Sequence, residues 1–436
     1  MNFLNTTRLA VVKRTPALAG KIRYVFKYFF LLGLCSVYLP GPLFAASPET
    51  KLADTSWGFW FRSQISQHPD VIAAKERMHA ALSMADSLDQ PLYNPELDTE
   101  YEREGRDNNF RLGLSQTLDW WGKRGAQKQQ ATYGRAVARQ AFDLAVQQKS
   151  AEALQAVVDW NSAREEGELA REQEEQLETL FTLVKSRQQS GDLGQVDVEL
   201  TFLGLSQKLN DVAQAQARFR QAEARLQELL PDWSSAWTKI PEDLWTIGER
   251  KNVDQWVDEH SAVATARAAW EVMKKAADLA RLKGKAEPTV GLNGGKSSGD
   301  TVVGVTILIP LNVRNNFSAE ARAARQEALA AEANYRSVWR KQQAAIRAST
   351  ATLGEYQKRY QRWQTLMQGR GESSGNLLEK QWHSGDMSTT EYLLALQQRT
   401  EGLVAGIELH TQFQLARIEW LLQTGQMENA LMQVKR

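Results

Sequence analysis

Proline is absent from two long windows of the chain, residues 96–230 and 311–436. A proline inside a helix removes a backbone hydrogen bond and clashes with the preceding turn, so these windows permit long uninterrupted helices. Both windows are also rich in Ala, Gln, Glu, Arg and Leu, which favour helix. We therefore predict two long helices, at 122–189 and 316–383, of 68 residues each. Each would be about 100 Å long.

The apolar residues of the first window repeat every three or four positions, which is the period of a helix with one packed face. This apolar stripe consists of Leu205, Leu209, Val212, Ala215, Phe219, Ala222, Leu226 and Leu229. A narrow stripe that includes alanines favours closely packed long helices over a wide globular core. Shorter helices, about half as long, are predicted at 56–90, 195–230, 252–285 and 388–427. Two short helices placed end to end would match one long helix.

The chain contains an internal duplication. The sequence Ser-Gly-Asp-Leu at 190–193 recurs 194 positions later as Ser-Gly-Asp-Met at 384–387, and the same offset aligns Asp197 with Glu391. A near-constant offset over a long span indicates tandem repeats. We predict a first repeat at 47–230, a connecting segment at 231–251 and a second repeat at 252–436. Each repeat would contain a helix, a β-hairpin, a long helix, a tip turn and a return helix.

One β-hairpin is predicted in each repeat, at 96–119 and at 288–310. Polar and apolar residues alternate along strands whose length matches transmembrane barrel strands of about 9–11 residues. The predicted membrane-facing residues are Phe110, Leu112, Leu114, Val303, Val305 and Ile307. The predicted lumen-facing residues are Asp98, Glu100 and Glu102. Four strands cannot close a barrel and an open edge is not tolerated in lipid, so several copies of the chain would have to complete it.

Trp120 and Trp121 follow the first hairpin, where a strand gives way to a long helix. Two interpretations stay open for them. They could form part of an interfacial aromatic belt, or they could be core residues at a domain joint.

Residues 1–46 are predicted to be a cleaved secretory signal, with an N-terminal membrane anchor as the alternative. Six basic residues precede an apolar stretch at 28–39, and small residues follow it. The apolar stretch is too short for a spanning helix, which needs roughly 20 residues. Cys35, the only cysteine, lies inside this segment after Leu34, an unsuitable neighbour for lipidation. The mature chain would then have no thiol for catalysis, metal binding or disulfides.

Composition and motifs argue against an enzyme, a metal site, a cofactor site or a nucleic-acid partner. The net charge is +1, so no strong field attracts nucleic acid. The five histidines, at 68, 79, 260, 383 and 410, are scattered without the spacing of paired ligands. The chain has no glycine-rich phosphate loop of the Gly-x-x-x-x-Gly-Lys-Ser/Thr type. An enzyme on a helical scaffold is therefore disfavoured.

Several short segments resemble one known family. They are His68-Pro69, the segment Leu-Tyr-Asn-Pro-Glu-Leu at 92–97, Gly-Leu-Ser-Gln at 113–116, Trp-Gly-Lys-Arg at 121–124 and the two Ser-Gly-Asp turns. With these segments the chain resembles the outer-membrane efflux protein family, the TolC-like channels, over nearly its whole mature length. The Asn-Pro-Glu-Leu and Gly-Lys-Arg segments look most like the branch that serves heavy-metal cation pumps.

This resemblance implies a mainly helical protein with a small β part, assembled as a homotrimer. Long helical hairpins would form an α-helical barrel, and four strands per subunit would form a twelve-stranded transmembrane β-barrel. The implied partners are a periplasmic adaptor and an inner-membrane pump, commonly of the resistance–nodulation–division class. Transport through the channel would be passive. The chain would lie in the outer membrane, in contact with its lipid, with a large periplasmic part.

The two Ser-Gly-Asp turns would lie at the periplasmic tip, where family members meet the adaptor. The predicted tip residues are Gly191, Asp192, Leu193, Gly385, Asp386, Met387 and Ser388. Glycine permits the left-handed backbone of a chain reversal, and Asp192 or Ser388 could cap the returning helix. The alternative is that these are plain helix-hairpin turns without a docking role.

Two further expectations follow from the sequence. Glycines and serines at 369–375 are expected to bend or loosen the second long helix just above its tip. The lumen carboxylates are expected to favour passage of cations over anions. The rival function is a periplasmic coiled-coil structural or adaptor protein without a barrel, which would share the signal and the long helices.

Overall fold

A computed structural model describes residues 56–234, 237, 239–246, 252–368 and 371–434. The predicted signal at 1–46 lies outside the described residues, as does part of the connecting segment. The helices are α1 (Trp57–Gln67), α2 (Pro69–Asp89), α3 (Lys123–Gln189), α4 (Gln195–Leu229), α5 (Val253–Glu259), α6 (Ser261–Lys283), α7 (Ser318–Met367), α8 (Gly371–His383), α9 (Thr389–Gln423) and α10 (Met427–Gln433). The strands are β1 (Glu96–Glu104), β2 (Asp107–Thr117), β3 (Thr289–Ser297) and β4 (Asp300–Leu308). A short 3₁₀ helix at Glu242–Trp245 lies between the repeats.

The elements at 57–229 recur in the same order at 253–423, except that α7 and α8 stand where the first part of the chain has the single helix α3. In the first repeat, α2 and α4 pack along the long helix α3; in the second, α6 and α9 pack along α7. Two short helices therefore share the length of one long helix in each repeat. Ion pairs join these partners, as where Arg135 of α3 contacts Asp86 and Asp89 of α2 at 2.8 and 2.9 Å.

The second long helix differs from the sequence prediction. In the first repeat, α3 has 67 residues and matches the predicted span. The predicted single helix at 316–383 is wrong, because the structure has α7 of 50 residues and a separate α8 of 13 residues. The sequence at 369–375 contains three glycines, each of which costs a helix about 1 kcal/mol relative to alanine. The equivalent residues 175–181 of α3 include no glycine.

Two predicted shorter helices are also divided, at equivalent positions. The helix predicted at 56–90 is α1 and α2, and the helix predicted at 252–285 is α5 and α6. A histidine stands at each division, His68 and, 192 positions later, His260. In both, the ring Nδ1 accepts a hydrogen bond from the backbone two residues on, at 3.2 Å from Asp70 and at 3.1 Å from Ala262. Repeat-equivalent histidines thus cap two helices.

His260 is buried, and both of its ring nitrogens have backbone partners. Its Nε2 lies 3.2 Å from the carbonyl oxygen of Leu422, to which it can donate while Nδ1 accepts from Ala262. Only the neutral ring can fill both roles. Burial lowers the pKa of His260 below its usual 6.5, partly opposed by the bond to Leu422.

We expect the stability of this region to fall in mild acid. Because the folded pKa is depressed, the stabilisation by neutral His260 is complete above the unfolded pKa of about 6.5 and is lost as pH falls through the folded pKa. The thermal midpoint should therefore drop more steeply below about pH 6.5 in the wild-type protein than in His260→Asn, which keeps a capping oxygen without titrating. Parallel pH dependences of the two proteins would contradict this assignment.

The main core lies where the repeats meet, around the middle of α3. Its largest fully buried side chains include Phe61, Leu154, Ile346, Ile418 and Leu421. They come from α1, α3, α7 and α9, and they bury apolar surface from both repeats together.

No helix among the described residues is long and apolar enough to cross a membrane.

Candidate functional site: a two-faced sheet and two helix tips

The two hairpins form one antiparallel sheet in the order β1-β2-β3-β4. β2 of the first repeat pairs directly with β3 of the second, so Leu114 lies opposite both Leu97 and Leu292, and Leu292 lies opposite Val305. The outer edges of β1 and β4 have no partner strand among the described residues. One chain therefore supplies a sheet with two open edges.

One face of this sheet is apolar. The register places all six residues predicted to face lipid on this face: Phe110, Leu112, Leu114, Val303, Val305 and Ile307. Leu97, Tyr101 and Leu292 lie on the same face. Every one of these side chains is more than half exposed, up to 81% for Val303. Such a continuous exposed apolar surface marks an interaction with a membrane or another protein.

The opposite face is polar and carries the three predicted carboxylates, Asp98, Glu100 and Glu102. Glu100 forms an ion pair with Arg111 at 2.9 Å, and the hydroxyl of Ser115 donates to Asp98 at 3.2 Å. The sequence analysis missed Arg111, whose position opposite Glu100 depends on the register. One of the three carboxylates is therefore paired with a cation.

Glycines on the polar face leave room for close contacts that a side chain would block. A Cβ atom at Gly295 would lie 1.9 Å from the carbonyl oxygen of Phe110, and one at Gly304 would lie 2.6 Å from the side-chain oxygen of Asn293. Small residues on one face and bulky residues on the other suit a sheet that curves with its polar face inside.

The junction between the sheet and α3 is held by charged groups. The carboxylate of Asp119 accepts hydrogen bonds from the backbone of Lys123 and Arg124 at 2.7 and 2.9 Å, which caps the helix. The ammonium of Lys123 lies 3.0 Å from the carboxylate of Glu287, and both side chains are buried. The Tyr93 hydroxyl donates to the same carboxylate. Burial, with this bond to Glu287, raises the pKa of Tyr93 to about 12.

The buried pair Lys123 and Glu287 forms, with the partly buried Tyr93, a cluster that links the two repeats below the sheet. Tyr93 and Lys123 lie in segments that carry the family resemblance, but their contact with Glu287 spans 194 and 164 positions of sequence. No local pattern pointed to that partner.

Trp120 and Trp121 are exposed in the single chain, at 68% and 46%. The interpretation of them as core residues is therefore wrong for this chain. The indole of Trp121 donates to the carbonyl oxygen of Ala286 at 2.7 Å, and the ammonium of Lys285 lies 5.2 Å from its ring centroid. The bond fixes the ring at the edge of the sheet.

The two tip turns have the same geometry. Gly191 and Gly385 have φ angles of 84° and 81°, a left-handed conformation that other residues adopt at a cost. Asp192 and Asp386 each donate a backbone hydrogen bond of 2.9 Å to a carbonyl of the preceding helix. These bonds form the Schellman motif that ends many helices.

The two return helices begin differently. Ser388 caps α9 in a capping box with Glu391, whereas Gly194 precedes α4 without a side-chain cap. The suggestion that Asp192 caps the return helix is wrong, because its carboxylate instead accepts a hydrogen bond of 3.1 Å from the hydroxyl of Ser190.

A small apolar cluster holds the two tips side by side. Leu180 and Val184 of α3 pack with Trp382 of α8 and Tyr392 of α9, and the guanidinium of Arg187 lies 4.9 Å from the Trp382 ring. Leu193 and Met387 are partly buried against this cluster, while Asp192 and Asp386 are exposed. The structure thus brings all seven predicted tip residues to one end of the molecule.

A groove runs between α4 and α9 just above the tips. Its volume is about 370 Å³ and its apolar wall includes Leu177, Leu200 and Leu393. The side chain of Gln173 lines it with a buried amide nitrogen that has no hydrogen-bond partner within the described part of the chain. Within those residues, no group of three or more His, Cys, Asp or Glu side chains could hold a metal ion.

Comparison by sequence connects the chain with a known family. Residues 60–231, most of the first repeat, match the family model described as outer membrane efflux protein. No curated protein matches the chain significantly by sequence.

Comparison by structure gives matches along most of the chain. The outer-membrane channel OprN shares 15% identity and a TM-score of 0.70, with 85% of this chain and 90% of that chain covered. CusC, whose structures concern folding and transmembrane channel formation, shares 14% identity and a TM-score of 0.69, with 85% and 92% covered. VceC, an outer membrane protein of Vibrio cholerae, shares 14% identity and a TM-score of 0.68, with 85% and 96% covered. At this level of identity the likeness is one of fold. The chain is therefore similar to outer membrane efflux proteins in sequence over residues 60–231 and to outer-membrane channels in fold over most of its length.

Proposed function

We propose that the protein is the outer-membrane channel of a tripartite efflux system and acts as a passive export duct, not as an enzyme. The observation that carries this proposal is the four-stranded sheet, with one exposed apolar face, one polar face and two open edges. Lipid does not tolerate unpaired strand edges, so β1 of one copy must pair with β4 of another. Three copies would close a twelve-stranded barrel. The polar face would then line the lumen and the helices would extend the duct through the periplasm.

The rival is a periplasmic coiled-coil structural or adaptor protein without a barrel. The two differ in how the chain fractionates. The channel should be recovered from outer membranes, need detergent for extraction and migrate as a heat-modifiable trimer. Recovery in the soluble periplasmic fraction would favour the rival. Outer-membrane location also requires export, which we assign to a cleaved signal at 1–46.

The tips are the proposed docking site for a periplasmic adaptor, which would connect the channel to an inner-membrane pump of the resistance–nodulation–division class. Leu193 and Met387 pack on the apolar cluster at the tips, against which Leu177 and Leu393 of the groove wall also pack. An adaptor hairpin that covers the tips and the groove would contact them. The paired turns with exposed Asp192 and Asp386 would face it. The family resemblance supports this assignment.

Crosslinking should test the docking site, because Cys35 is the only cysteine of the chain. We expect Leu193→Cys and Met387→Cys, expressed in the native cells, to crosslink to a periplasmic adaptor. Leu329→Cys, about half exposed near the start of α7 and far along the helix from the tips, is the matched control. Equal crosslinking at all three positions, or at Leu329→Cys alone, would contradict the assignment.

The cargo is proposed to be cationic, with heavy-metal cations suggested by the branch resemblance. The supporting feature is the set of carboxylates on the polar face, Asp98, Glu100 and Glu102, of which only Glu100 has an ion pair with Arg111. Carboxylates along a pore raise the local concentration of cations. Tight metal ligands would hinder release and are not required of a duct.

Reversal potentials across planar bilayers in a salt gradient should show cation preference. Replacing the three carboxylates by Asn, Gln and Gln should shift preference towards anions, since Arg111 remains on the same face. Arg111→Gln alone should increase the cation preference. Anion preference in the wild-type channel, or no shift in the triple variant, would contradict the role of these carboxylates.

A further inference from the structure

Positive charge is concentrated at the end of the sheet nearest the helices, where β2 and β4 end and β3 begins. The segments 118–128, 281–289 and 309–322 contain eight Lys and Arg residues but three Asp and Glu residues. These segments lie at the same end of the sheet. Thr117 at the end of β2 pairs with Thr289 at the start of β3, and Thr289 pairs with Leu308 at the end of β4. The excess charge therefore lies on one rim, although the whole chain is nearly neutral.

The acidic residues at this end do not neutralise the exposed cations. Asp119 is occupied in capping α3, and Glu287 is buried against Lys123. Arg124, Lys285 and Arg314 are exposed, and none has an ion-pair partner within the described ranges. These three side chains, with Trp120 and Trp121, are called the basic rim below.

The same end exposes apolar groups. Trp120 is 68% exposed, and Leu311 and Val313 in the segment after β4 are 79% and 85% exposed. Trp121 is fixed by its bond to Ala286 beneath the ammonium of Lys285. Tryptophan beside a long basic side chain suits the boundary between hydrocarbon and water, where the ring lies among acyl chains and the cation reaches the headgroups.

We propose that the basic rim binds the phosphate groups of anionic phospholipids in the leaflet next to the helices. The inference rests on the proposed function, which places the apolar face of the sheet in the bilayer. Lipid tails against Leu112 and Val305 would then put headgroups at the level of Arg124, Lys285 and Arg314. An anionic headgroup leaves its charge free for these cations, whereas a zwitterionic headgroup carries its own cation. The attraction of one basic side chain near such a surface corresponds to about a five-fold preference.

Electron spin resonance of spin-labelled lipids can test this inference on the full-length protein reconstituted in bilayers. The lipid pair is phosphatidylglycerol and phosphatidylcholine, which share acyl chains but differ in headgroup charge. The wild-type protein should prefer phosphatidylglycerol, by less than five-fold on average because most lipid positions lie away from the rim. The preference should weaken at about 1 M salt, where the Debye length is about 3 Å.

The triple variant Arg124→Gln/Lys285→Gln/Arg314→Gln should lose this preference. Lys296→Gln is the matched control, because Lys296 lies on the apolar face near the opposite end of the sheet, beside Phe110. It should keep the preference. The inference is overturned if the wild-type protein has no preference, if the triple variant retains it, or if the control loses as much. The conductance of the same samples distinguishes failure of this inference from failure of the proposed function. Channels that conduct but have no lipid preference overturn this inference alone. Samples that do not conduct contradict the proposed function, and the inference with it.

Discussion

Replacing Lys123 by methionine should destabilise the protein by about 3–5 kcal/mol, because it leaves the buried carboxylate of Glu287 without its cation. The pair lies 3.0 Å apart with side chains only 9% and 4% exposed, so water cannot take the place of the ammonium. Chaotrope titration of the detergent-solubilised protein would report the loss as a lower midpoint. The exposed Lys128, in the next turns of α3, is the control, and Lys128→Met should change little.

A double-mutant cycle identifies the cause of this effect. Glu287→Gln removes the charge but keeps an oxygen for the Tyr93 hydroxyl. If the buried charge is what destabilises Lys123→Met, the double variant Lys123→Met/Glu287→Gln should be more stable than Lys123→Met alone. A Lys123→Met protein as stable as the wild type would show that the pair contributes nothing.

The second large effect is expected at the centre of β4, where neighbouring residues face opposite sides of the sheet. Val305→Lys places a charge on the apolar face and should cost about 2–4 kcal/mol per chain if that face meets the bilayer interior. Thr306→Lys places the same charge on the polar face. It should cost only about 1 kcal/mol, for the hydrogen bond that Thr306 receives from Asn293.

The yield of heat-modifiable trimer after folding into lipid vesicles measures this difference. We expect Val305→Lys to fold poorly and Thr306→Lys to fold nearly as well as the wild type. Equal yields from the two variants would contradict the proposal that the apolar face contacts lipid and the polar face contacts water.

Periodicity along the sequence was sufficient to predict α3 and both hairpins. The absence of proline and the repeat of apolar residues are local signals, and α3 ends within one residue of its predicted bounds. Strand alternation likewise assigned each residue to a face before the register was known. The glycines at 369–375 predicted a bend near the division between α7 and α8, but the helix predicted at 316–383 continued through them.

The interactions between distant segments were not predictable from these signals. Arg111 neutralises Glu100 only because the hairpin register brings them together. Glu287 meets Lys123 only because β2 and β3 pair across the repeats. At the tips, the turns were evident from glycine, but the packing of Trp382 against Arg187 and Tyr392 depends on how α3, α8 and α9 meet. Such contacts depend on tertiary structure, which local sequence patterns do not reveal.

Single-channel recording of the purified full-length protein in planar lipid bilayers tests the central claim most directly. A trimer with a closed barrel should insert and produce discrete, uniform conductance steps, and Val305→Lys should insert rarely while Thr306→Lys inserts readily. A protein that remains in solution and gives no conductance steps under conditions where it is folded would contradict the assignment as an outer-membrane channel.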